Sequence, residues 1–384
     1  MPRTIYFDYN ATTPLDPAVR EAMLPFLGDV FGNPSSVHHV GRRARALLDD
    51  ARDRVASLWQ CRSSEVVFTS GGTESVNLAI FGAARHRRDR GRHILITGVE
   101  HHAVLHACEY LANKEGFEVG CLPVGPDGIL DPGALVRSIR PDTVLVSVMA
   151  ANNETGAIQP VAEAGRICRE RGVLFHTDAV QWFGKETVAS IHQFNADLVS
   201  VCAHKFHGPK GAGALFIRSP LLPDPILFGG GHENERRAGT ENLAGIMGFT
   251  DASERFVRSP VFAREKVGPL TARLRAALDE MSDLGVTVRG TGEQALANTV
   301  AFTVRGTDSA ALLAALDLEG ICASSGSACT SGSVEPSHVM LAMGVPRDEA
   351  NALVRFSLGR ENTMDEVERV LEMLPDLIRR ARQA

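Results

Sequence analysis

The sequence predicts an α/β protein with a large, mostly parallel β-sheet domain and a smaller α+β domain. Its 384 residues suit two domains, at roughly 150 residues for each domain. Short apolar runs alternate with helical stretches over the first two thirds of the chain, which is typical of a doubly wound sheet. This alternation stops near Ser259 and Pro260, where a different pattern begins.

The central strands are predicted from short runs that are rich in β-branched residues and apolar on both faces. Strands with two apolar faces are expected where helices cover both sides of a parallel sheet. The runs are 66–69, 93–97, 143–148, 173–176 and 198–201, and helical stretches lie between them at 74–85, 104–115 and 161–171.

The last third of the chain mixes helices and strands without that regular alternation. A long helix is predicted at about 263–281, strands at 286–288 and 299–302, and a helix that Thr307 and Asp308 can cap and that runs to Leu318. Thr363 and Glu366 fit a capping box that opens a final amphipathic helix. We therefore predict a large domain over residues 14–257 and a small domain formed by residues 1–13 and 258–384.

Composition argues against several classes of partner. With 40 basic and 46 acidic residues the formal net charge is −6, which disfavours binding to nucleic-acid phosphates through a basic face. No apolar run approaches the roughly 18 residues of a membrane helix, and the N-terminus lacks the apolar segment of a secretory signal. The seven cysteines contain no CxxC pair, so neither a disulfide framework nor a zinc ribbon is indicated. We expect a cytoplasmic protein with no nucleic-acid or membrane partner.

Polar residues follow each predicted strand at the point where the strand ends. In open α/β sheets, ligands bind beyond the carboxyl ends of the strands, so these residues should meet at one edge. They are a Gly-rich turn with Gly72 and Thr73, then His101 and His102, Asn153, Asp178 with Gln181, and finally His204 and Lys205. Each has an ordinary structural explanation alone, as a helix cap or a solvated charge, but their convergence predicts a functional site.

Two kinds of cofactor are compatible with such a site. His102 and His106 could share a helix face as zinc ligands, but no HExxH motif and no placed third ligand complete a metal site. Pyridoxal 5'-phosphate needs a lysine for a Schiff base, a carboxylate facing its ring nitrogen and an anion site for its phosphate. Lys205, Asp178 and the helix start at Gly72 and Thr73 supply these three elements.

Two further residues indicate chemistry in the smaller domain. Cys329 lies among glycines, serines and alanines in residues 323–333, within a loop at about 322–335. This setting suits an accessible thiolate nucleophile, although an incidental cysteine in a surface loop would look the same. Arg355 stands alone in an apolar strand, and such an arginine usually pairs with a structural or a substrate carboxylate.

These motifs resemble those of the cysteine desulfurases of the NifS/IscS type, within the class V aminotransferase-like group of pyridoxal-phosphate enzymes. The resemblance runs through essentially the whole chain. It is carried by residues 6–14, 32–36, 69–74, 100–101, 152–156, 176–178, 204–205, 237–242 and 354–357, and above all by the cysteine-containing stretch 324–338. It implies the aspartate aminotransferase-like fold of pyridoxal-phosphate-dependent transferases and a homodimer.

The resemblance also implies a role for each matched residue. Lys205 would hold the cofactor, His101 would stack on its ring and assist acid–base steps, and Cys329 would accept sulfur. Asp178 would pair with the ring nitrogen, and Asn153 and Gln181 would lie on the side of the ring that carries its oxygen. The remaining matches are phosphate contacts by Gly72, Thr73, Cys202, His204 and a Thr240 from the second subunit, and substrate-carboxylate contacts by Asn33 and Arg355. Cys202 replaces a serine that is frequent in the family, and a thiol is a weaker donor than a hydroxyl.

The implied reaction removes sulfur from L-cysteine, giving L-alanine and a persulfide on Cys329. The sulfur would pass to an acceptor protein such as an iron–sulfur scaffold, and Cys329 could transiently share an iron–sulfur cluster with it. Selenocysteine lyase and other class V aminotransferase-like enzymes are the alternatives. A sulfur carrier without catalysis is disfavoured, because it has no use for Lys205 paired with Asp178. Nitrogen fixation, general cluster assembly and tRNA thiolation all stay open as the process served.

Overall fold

The computed structural model describes residues 4–290, 294–326 and 335–383. The strands are β1 (Ile5–Tyr6), β2 (Val66–Thr69), β3 (His93–Thr97), β4 (Glu118–Leu122), β5 (Thr143–Ser147), β6 (Leu174–Asp178), β7 (Leu198–Cys202), β8 (Gly213–Ile217), β9 (Val286–Arg289), β10 (Thr299–Val304), β11 (Ile321–Cys322) and β12 (Leu353–Ser357). All five predicted central strands are present, each within two residues of its predicted bounds.

The helices are α1 (Pro17–Met23), α2 (His39–Trp59), α3 (Gly72–His86), α4 (His102–Glu115), α5 (Pro132–Ser138), α6 (Val161–Glu170), α7 (His232–Glu235), α8 (Leu243–Phe256), α9 (Arg264–Glu280), α10 (Ser309–Leu318), α11 (His338–Ala342), α12 (Arg347–Ala350) and α13 (Met364–Ala381). The predicted caps are confirmed: Asp308 accepts from the Ala310 amide, and Thr363 and Glu366 form the capping box of α13. None of the described helices is long and apolar enough to cross a membrane.

The large sheet has seven strands in the order β2-β8-β7-β6-β5-β3-β4. The pairs β3–β4, β3–β5, β5–β6 and β6–β7 run parallel, whereas β8 runs antiparallel to both β2 and β7. The prediction of a mostly parallel sheet is therefore confirmed. Two buried apolar clusters lie against it, one containing residues of α3 and α4 and the other residues of α2, α6 and α8.

A second core joins the two ends of the chain. Ile5 and Phe7 pack in one buried cluster with residues of α9, α10, α13 and the antiparallel sheet β12-β10-β9. Strand β1 pairs in parallel with β11, which draws the N-terminal segment onto the C-terminal part. This is the packing expected for the predicted small domain, whose bounds of 1–13 and 258–384 stay a prediction.

The fold brings three parts of the chain together above the sheet. The carboxyl ends of β2, β3, β5, β6 and β7 share one edge, as parallel strands require. Residues after β1 reach this edge, because Asp8 bridges to Ser357 at the end of β12 and the Asn10 amide donates to the Ser357 hydroxyl at 2.9 Å. The edge is therefore covered by the N-terminal segment and by β12.

Candidate active site

A cavity of about 250 Å³ lies at this edge of the sheet. It brings together ten of the side chains or backbone positions that the sequence predicts for the site. They are Gly72, Thr73, His101, Asn153, Asp178, Gln181, Cys202, His204, Lys205 and Arg355. Since these residues come from five strand ends and from β12, their convergence is a property of the fold rather than of any one motif.

The N-terminus of α3 forms one wall of the cavity. Gly71, directly before the helix, has φ +153° and ψ −173°, a conformation open almost only to glycine. The N-cap residue Gly71 has no side chain that could cap this helix, and a helix N-terminus of this kind is suited to an anion. A Cβ on Gly72 would lie 2.9 Å from Val180 Cγ2, so glycine also allows the close approach of the neighbouring turn.

Cys202 lies beneath this helix start and is buried. Its thiol donates to the Ala212 carbonyl over 3.8 Å, and burial raises the pKa of the thiol. The predicted contact of Cys202 with the phosphate stays a prediction.

Lys205 is held at the centre of the cavity by the N-terminal segment. Its Nζ donates to the main-chain carbonyls of Asn10 at 2.7 Å and Ala11 at 2.8 Å. Burial lowers the pKa of this amine to about 8, and the positive charge of Arg355 acts in the same direction. A lysine with such a pKa has a substantial free-base fraction near neutral pH, which is the form that attacks a carbonyl carbon.

Asp178 ends β6 and is buried in the cavity wall. One carboxylate oxygen accepts from the Val180 amide at 2.9 Å. Burial raises the pKa of this carboxyl to about 6, while Lys205 and the Val180 amide oppose the shift. A carboxylate in this position needs a cationic partner, and a protonated ring nitrogen is such a partner.

His101 is the N-cap of α4, and its Nδ1 accepts from the Ala103 amide at 3.1 Å. Burial lowers the pKa of this imidazole to about 4, and nearby Lys205 adds to the shift. The ring is therefore neutral at pH 7, and because Nδ1 is an acceptor, its proton resides on Nε2.

Three more histidines lie behind His101. The ring centroid of His102 is 5.1 Å from that of His106 and 4.6 Å from that of His338. Among the residues that the structure describes, no group of three or more His, Cys, Asp or Glu side chains is arranged to hold a metal ion. The zinc alternative gains no support from this cluster.

Arg355 and Asn153 close the side of the cavity that faces β12. The Arg355 guanidinium donates to the Asn153 carbonyl at 2.8 Å, to the Gly326 carbonyl at 3.1 Å and to the Asp8 carboxylate at 2.6 Å. Its Nε is buried without a hydrogen-bond partner. An orphaned N–H on a buried guanidinium is suited to an incoming carboxylate.

Two residues that contact the site, Asn10 and Asp8, were not predicted from the sequence. The Asn10 carbonyl accepts from both Lys205 Nζ and Gln181 Nε2, and Asp8 pairs with Arg355. Both residues lie in the N-terminal segment, whose motif carries the family resemblance but holds no local signal of a catalytic role. Their positions follow from the pairing of β1 with β11, which is a long-range contact.

Three predicted residues are not placed in this cavity. Asn33 is exposed and its side chain accepts from the Ser35 amide at 2.8 Å. Thr240 is exposed and lies at a neighbouring pocket with Arg237 and Ser70. Cys329 lies outside the described residues, although Gly326, three positions earlier, lines the cavity. The roles of all three stay predictions.

The residues present fit pyridoxal 5'-phosphate. An uncapped helix start suits its phosphate, buried Asp178 suits its ring nitrogen, and the Lys205 amine, with a pKa of about 8, suits its aldehyde. The neutral His101 ring lines the same cavity and is available to stack on a flat heterocycle. Fold and site together define a pyridoxal-phosphate enzyme with the aspartate aminotransferase-like fold.

Comparison with known proteins gives the same result. The model of the aminotransferase class-V family matches residues 5–370. A protein of Dictyoglomus turgidum named cysteine desulfurase IscS is 44% identical over 383 residues, which cover 100% of this chain and 96% of that protein. The solved structure of a NifS-like protein superposes with a TM-score of 0.89 at 36% identity, covering 98% of this chain and 100% of the other.

A second solved structure, of SspA in complex with cysteine, gives a TM-score of 0.81 at 33% identity over 94% of this chain and 100% of that one. The chain belongs to the aminotransferase class-V family. Within that family it belongs with the cysteine desulfurases of the NifS/IscS type, as the sequence motifs predict. The predicted fold and the predicted cofactor, pyridoxal 5'-phosphate, are thereby confirmed.

Proposed function

We propose that this protein is a cysteine desulfurase that converts L-cysteine into L-alanine and leaves a persulfide on Cys329. In this reaction the Cβ–S bond of the substrate breaks and a sulfur–sulfur bond to Cys329 forms. The substrate thiol and the enzyme thiol supply the hydrogens of the alanine methyl group and of the persulfide, so no external reductant is required.

The observation that carries this proposal is the position of Gly326. It lines the same cavity as Lys205 and Asp178, and its carbonyl accepts from Arg355. Cys329 follows three residues later, and three residues span at most about 11 Å. The length of chain from Gly326 thus allows a thiol at position 329 to reach the cavity, and a transaminase has no use for such a thiol.

When bound, pyridoxal phosphate withdraws electrons from the substrate carbon and makes the sulfur open to attack by a thiolate. The Lys205 amine, with a pKa of about 8, can take up the proton of the substrate α carbon near neutral pH. His101 is neutral, and from Nε2 it can donate a hydrogen bond to a ligand in the same cavity. Asp178 would stabilise a protonated ring nitrogen through its negative charge.

The substrate carboxylate is expected at Arg355. Its guanidinium already has an ion pair with Asp8, and its Nε remains buried without a partner. A carboxylate that accepts from Nε would be held in the wall of the cavity that contains Lys205. The planar fork of arginine favours this geometry.

We infer that the enzyme works as a homodimer. Asn33 and Thr240, the two described residues that were predicted for the site but lie outside the cavity, are on segments with exposed apolar side chains. Phe31 and Val37 flank Asn33, and Phe228 precedes Thr240, with 79%, 87% and 83% of their surface exposed. Large exposed apolar side chains are typical of protein interfaces. A second subunit that covers these segments would supply Thr240 to the phosphate.

The sulfur of the persulfide would pass to an acceptor such as an iron–sulfur scaffold protein, with Cys329 as the shared contact. The cytoplasm remains the expected compartment. Product analysis tests the reaction: the purified holoenzyme is incubated with L-cysteine, L-selenocysteine, or L-alanine with a 2-oxo acid. We expect cysteine to give alanine and a persulfide on Cys329, and the outer sulfur of that persulfide to leave as sulfide once a dithiol reductant is added. Turnover of selenocysteine alone, or transamination alone, would contradict the proposal and favour one of the alternatives.

A further inference from the structure

Lys185 is a second buried lysine next to the active site. It lies in the turn that follows β6, and only 4% of its surface is exposed. Gly184 makes this placement possible: it has φ +76°, and a Cβ there would lie 2.3 Å from Phe206 Cβ. The turn therefore packs directly against the residue that follows Lys205.

The surroundings of the Lys185 amine are unusual for a lysine. Its Nζ donates to Gln181 Oε1 and lies 5.4 Å from the centre of the Phe262 ring. In the described portion of the chain no carboxylate lies within ion-pair distance of this amine. Burial lowers the pKa of Lys185 well below its usual value, and the charges of Lys205 and Arg355 add to this effect. Burying an amine without a charged partner costs stability, so the presence of Lys185 here points to a role other than stabilising the fold.

The hydrogen bonds around Gln181 indicate that purpose. The side-chain oxygen of Gln181 faces the Lys185 amine, and its Nε2 donates to the Asn10 carbonyl at 2.9 Å. Because a carbonyl only accepts hydrogen bonds, the contact with Asn10 identifies the nitrogen of the amide. The contact with the Lys185 amine then falls to the amide oxygen, so one orientation satisfies both contacts. The same Asn10 carbonyl accepts from Lys205 at 2.7 Å, which places Nε2 beside the reactive amine in the cavity. The second hydrogen of Nε2 is then available to a ligand.

We propose that Lys185 is a positioning residue: it fixes the amide of Gln181 so that Nε2 donates to the phenolic oxygen of bound pyridoxal phosphate. This inference rests on the cofactor of the proposed function. Without Lys185 the amide keeps only its bond to the Asn10 carbonyl and loses the contact that fixes its oxygen end. An amide that turned over would present its carbonyl oxygen to the phenolic oxygen, and the two oxygens would repel each other.

The test is a double-mutant cycle read out as cofactor affinity. The full-length protein is stripped of cofactor and titrated with pyridoxal phosphate, following its absorbance, for the wild type, Lys185→Met, Gln181→Met and the double variant. We expect Lys185→Met to weaken binding about tenfold in the wild-type background, which is the scale of one hydrogen bond. In the Gln181→Met background we expect less than a twofold effect. An equal loss in both backgrounds would overturn the proposal.

Thermal unfolding of the cofactor-free proteins separates positioning from a structural role. Because the buried amine is costly, Lys185→Met should unfold at the same temperature as the wild type or higher. A midpoint lowered by several degrees would mark Lys185 as a structural residue and contradict the inference. Lys114→Met, at an exposed lysine of α4, is the control and should change neither affinity nor midpoint.

If Lys185→Met cannot be purified as a folded protein, Lys185→Leu takes its place in the same cycle with the same expectations. Cofactor binding is measured without turnover, so the result for Lys185 does not depend on whether the proposed desulfurase reaction takes place. A wild type that binds pyridoxal phosphate but forms no alanine from cysteine refutes the proposed reaction, while the cycle still decides the role of Lys185.

Discussion

The guanidinium of Arg355 forms a 2.6 Å ion pair with the carboxylate of Asp8 in the wall of the cavity that contains Lys205. The pair joins β12 to the N-terminal segment, and Arg355 is 2% exposed. Asp8 therefore fixes the guanidinium from one side, and the unpartnered Nε is left for a ligand. This relationship explains why an arginine rather than a lysine suits the position.

Replacement of Arg355 by lysine should raise KM for L-cysteine about tenfold or more, since a charged hydrogen bond to the substrate is lost. Binding of the cofactor should persist, as judged by its visible absorbance. Arg360→Lys is a matched control, because Arg360 pairs with Asp16 at 2.8 Å and does not line the cavity. Equal changes in KM for the two variants would contradict the assignment of Arg355.

The lowered pKa of Lys205 predicts how cofactor uptake depends on pH. Only the free amine attacks an aldehyde, and burial lowers the pKa of this amine to about 8. The rate at which cofactor-free protein takes up pyridoxal phosphate should rise as pH increases through about 8 and level off near 9. A rate that keeps rising beyond pH 10, as for an ordinary lysine, would refute the environment described for Lys205.

Asp178→Asn should keep the cofactor attached but reduce alanine formation by about a hundredfold, because the charge that holds a proton on the ring nitrogen is removed. Asp197→Asn provides the control, since Asp197 is also largely buried and accepts from the Phe175 amide at 2.9 Å, at the start of the same strand β6. It should affect stability more than turnover. Comparable turnover in wild type and Asp178→Asn would remove Asp178 from the mechanism.

The mass of the protein in solution, measured for the wild type and for a Phe228 variant, tests the inferred dimer. The wild type should have twice the mass of one chain by light scattering, and Phe228→Asp should shift it toward monomer and weaken cofactor binding, because Thr240 lies on the same segment. Leu318→Asp introduces the same charge at an equally exposed leucine of α10 and should change neither property. A monomeric, fully active wild type would refute the dimer.

The sheet edge and most of the cavity were predictable from local patterns. Strands with two apolar faces mark a parallel sheet, and the carboxyl ends of such strands meet, so Asp178, His101 and Lys205 could be brought together without coordinates. Helix α2 was not predicted, although Ala44, Leu48 and Val55 recur at helical spacing and are buried. That signal was present in the sequence.

Other features depend on long-range packing. Asp8 and Asn10 reach the cavity only because β1 pairs with β11, more than 300 residues away along the chain. Lys185 has the sequence context of a surface turn, and its burial follows from the fit of Gly184 against Phe206. The edge strand β4 has a mixed burial pattern, so it lacks the apolar signature of the central strands.

The most direct test of the central claim is a single-turnover reaction of the holoenzyme with L-cysteine, in which alanine is quantified and the protein is mapped by mass spectrometry. We expect one alanine for each persulfide sulfur found on Cys329, and neither product from Cys329→Ala despite a normal cofactor absorbance. Alanine formed without a persulfide on Cys329, or formed at the wild-type rate by Cys329→Ala, would contradict the account.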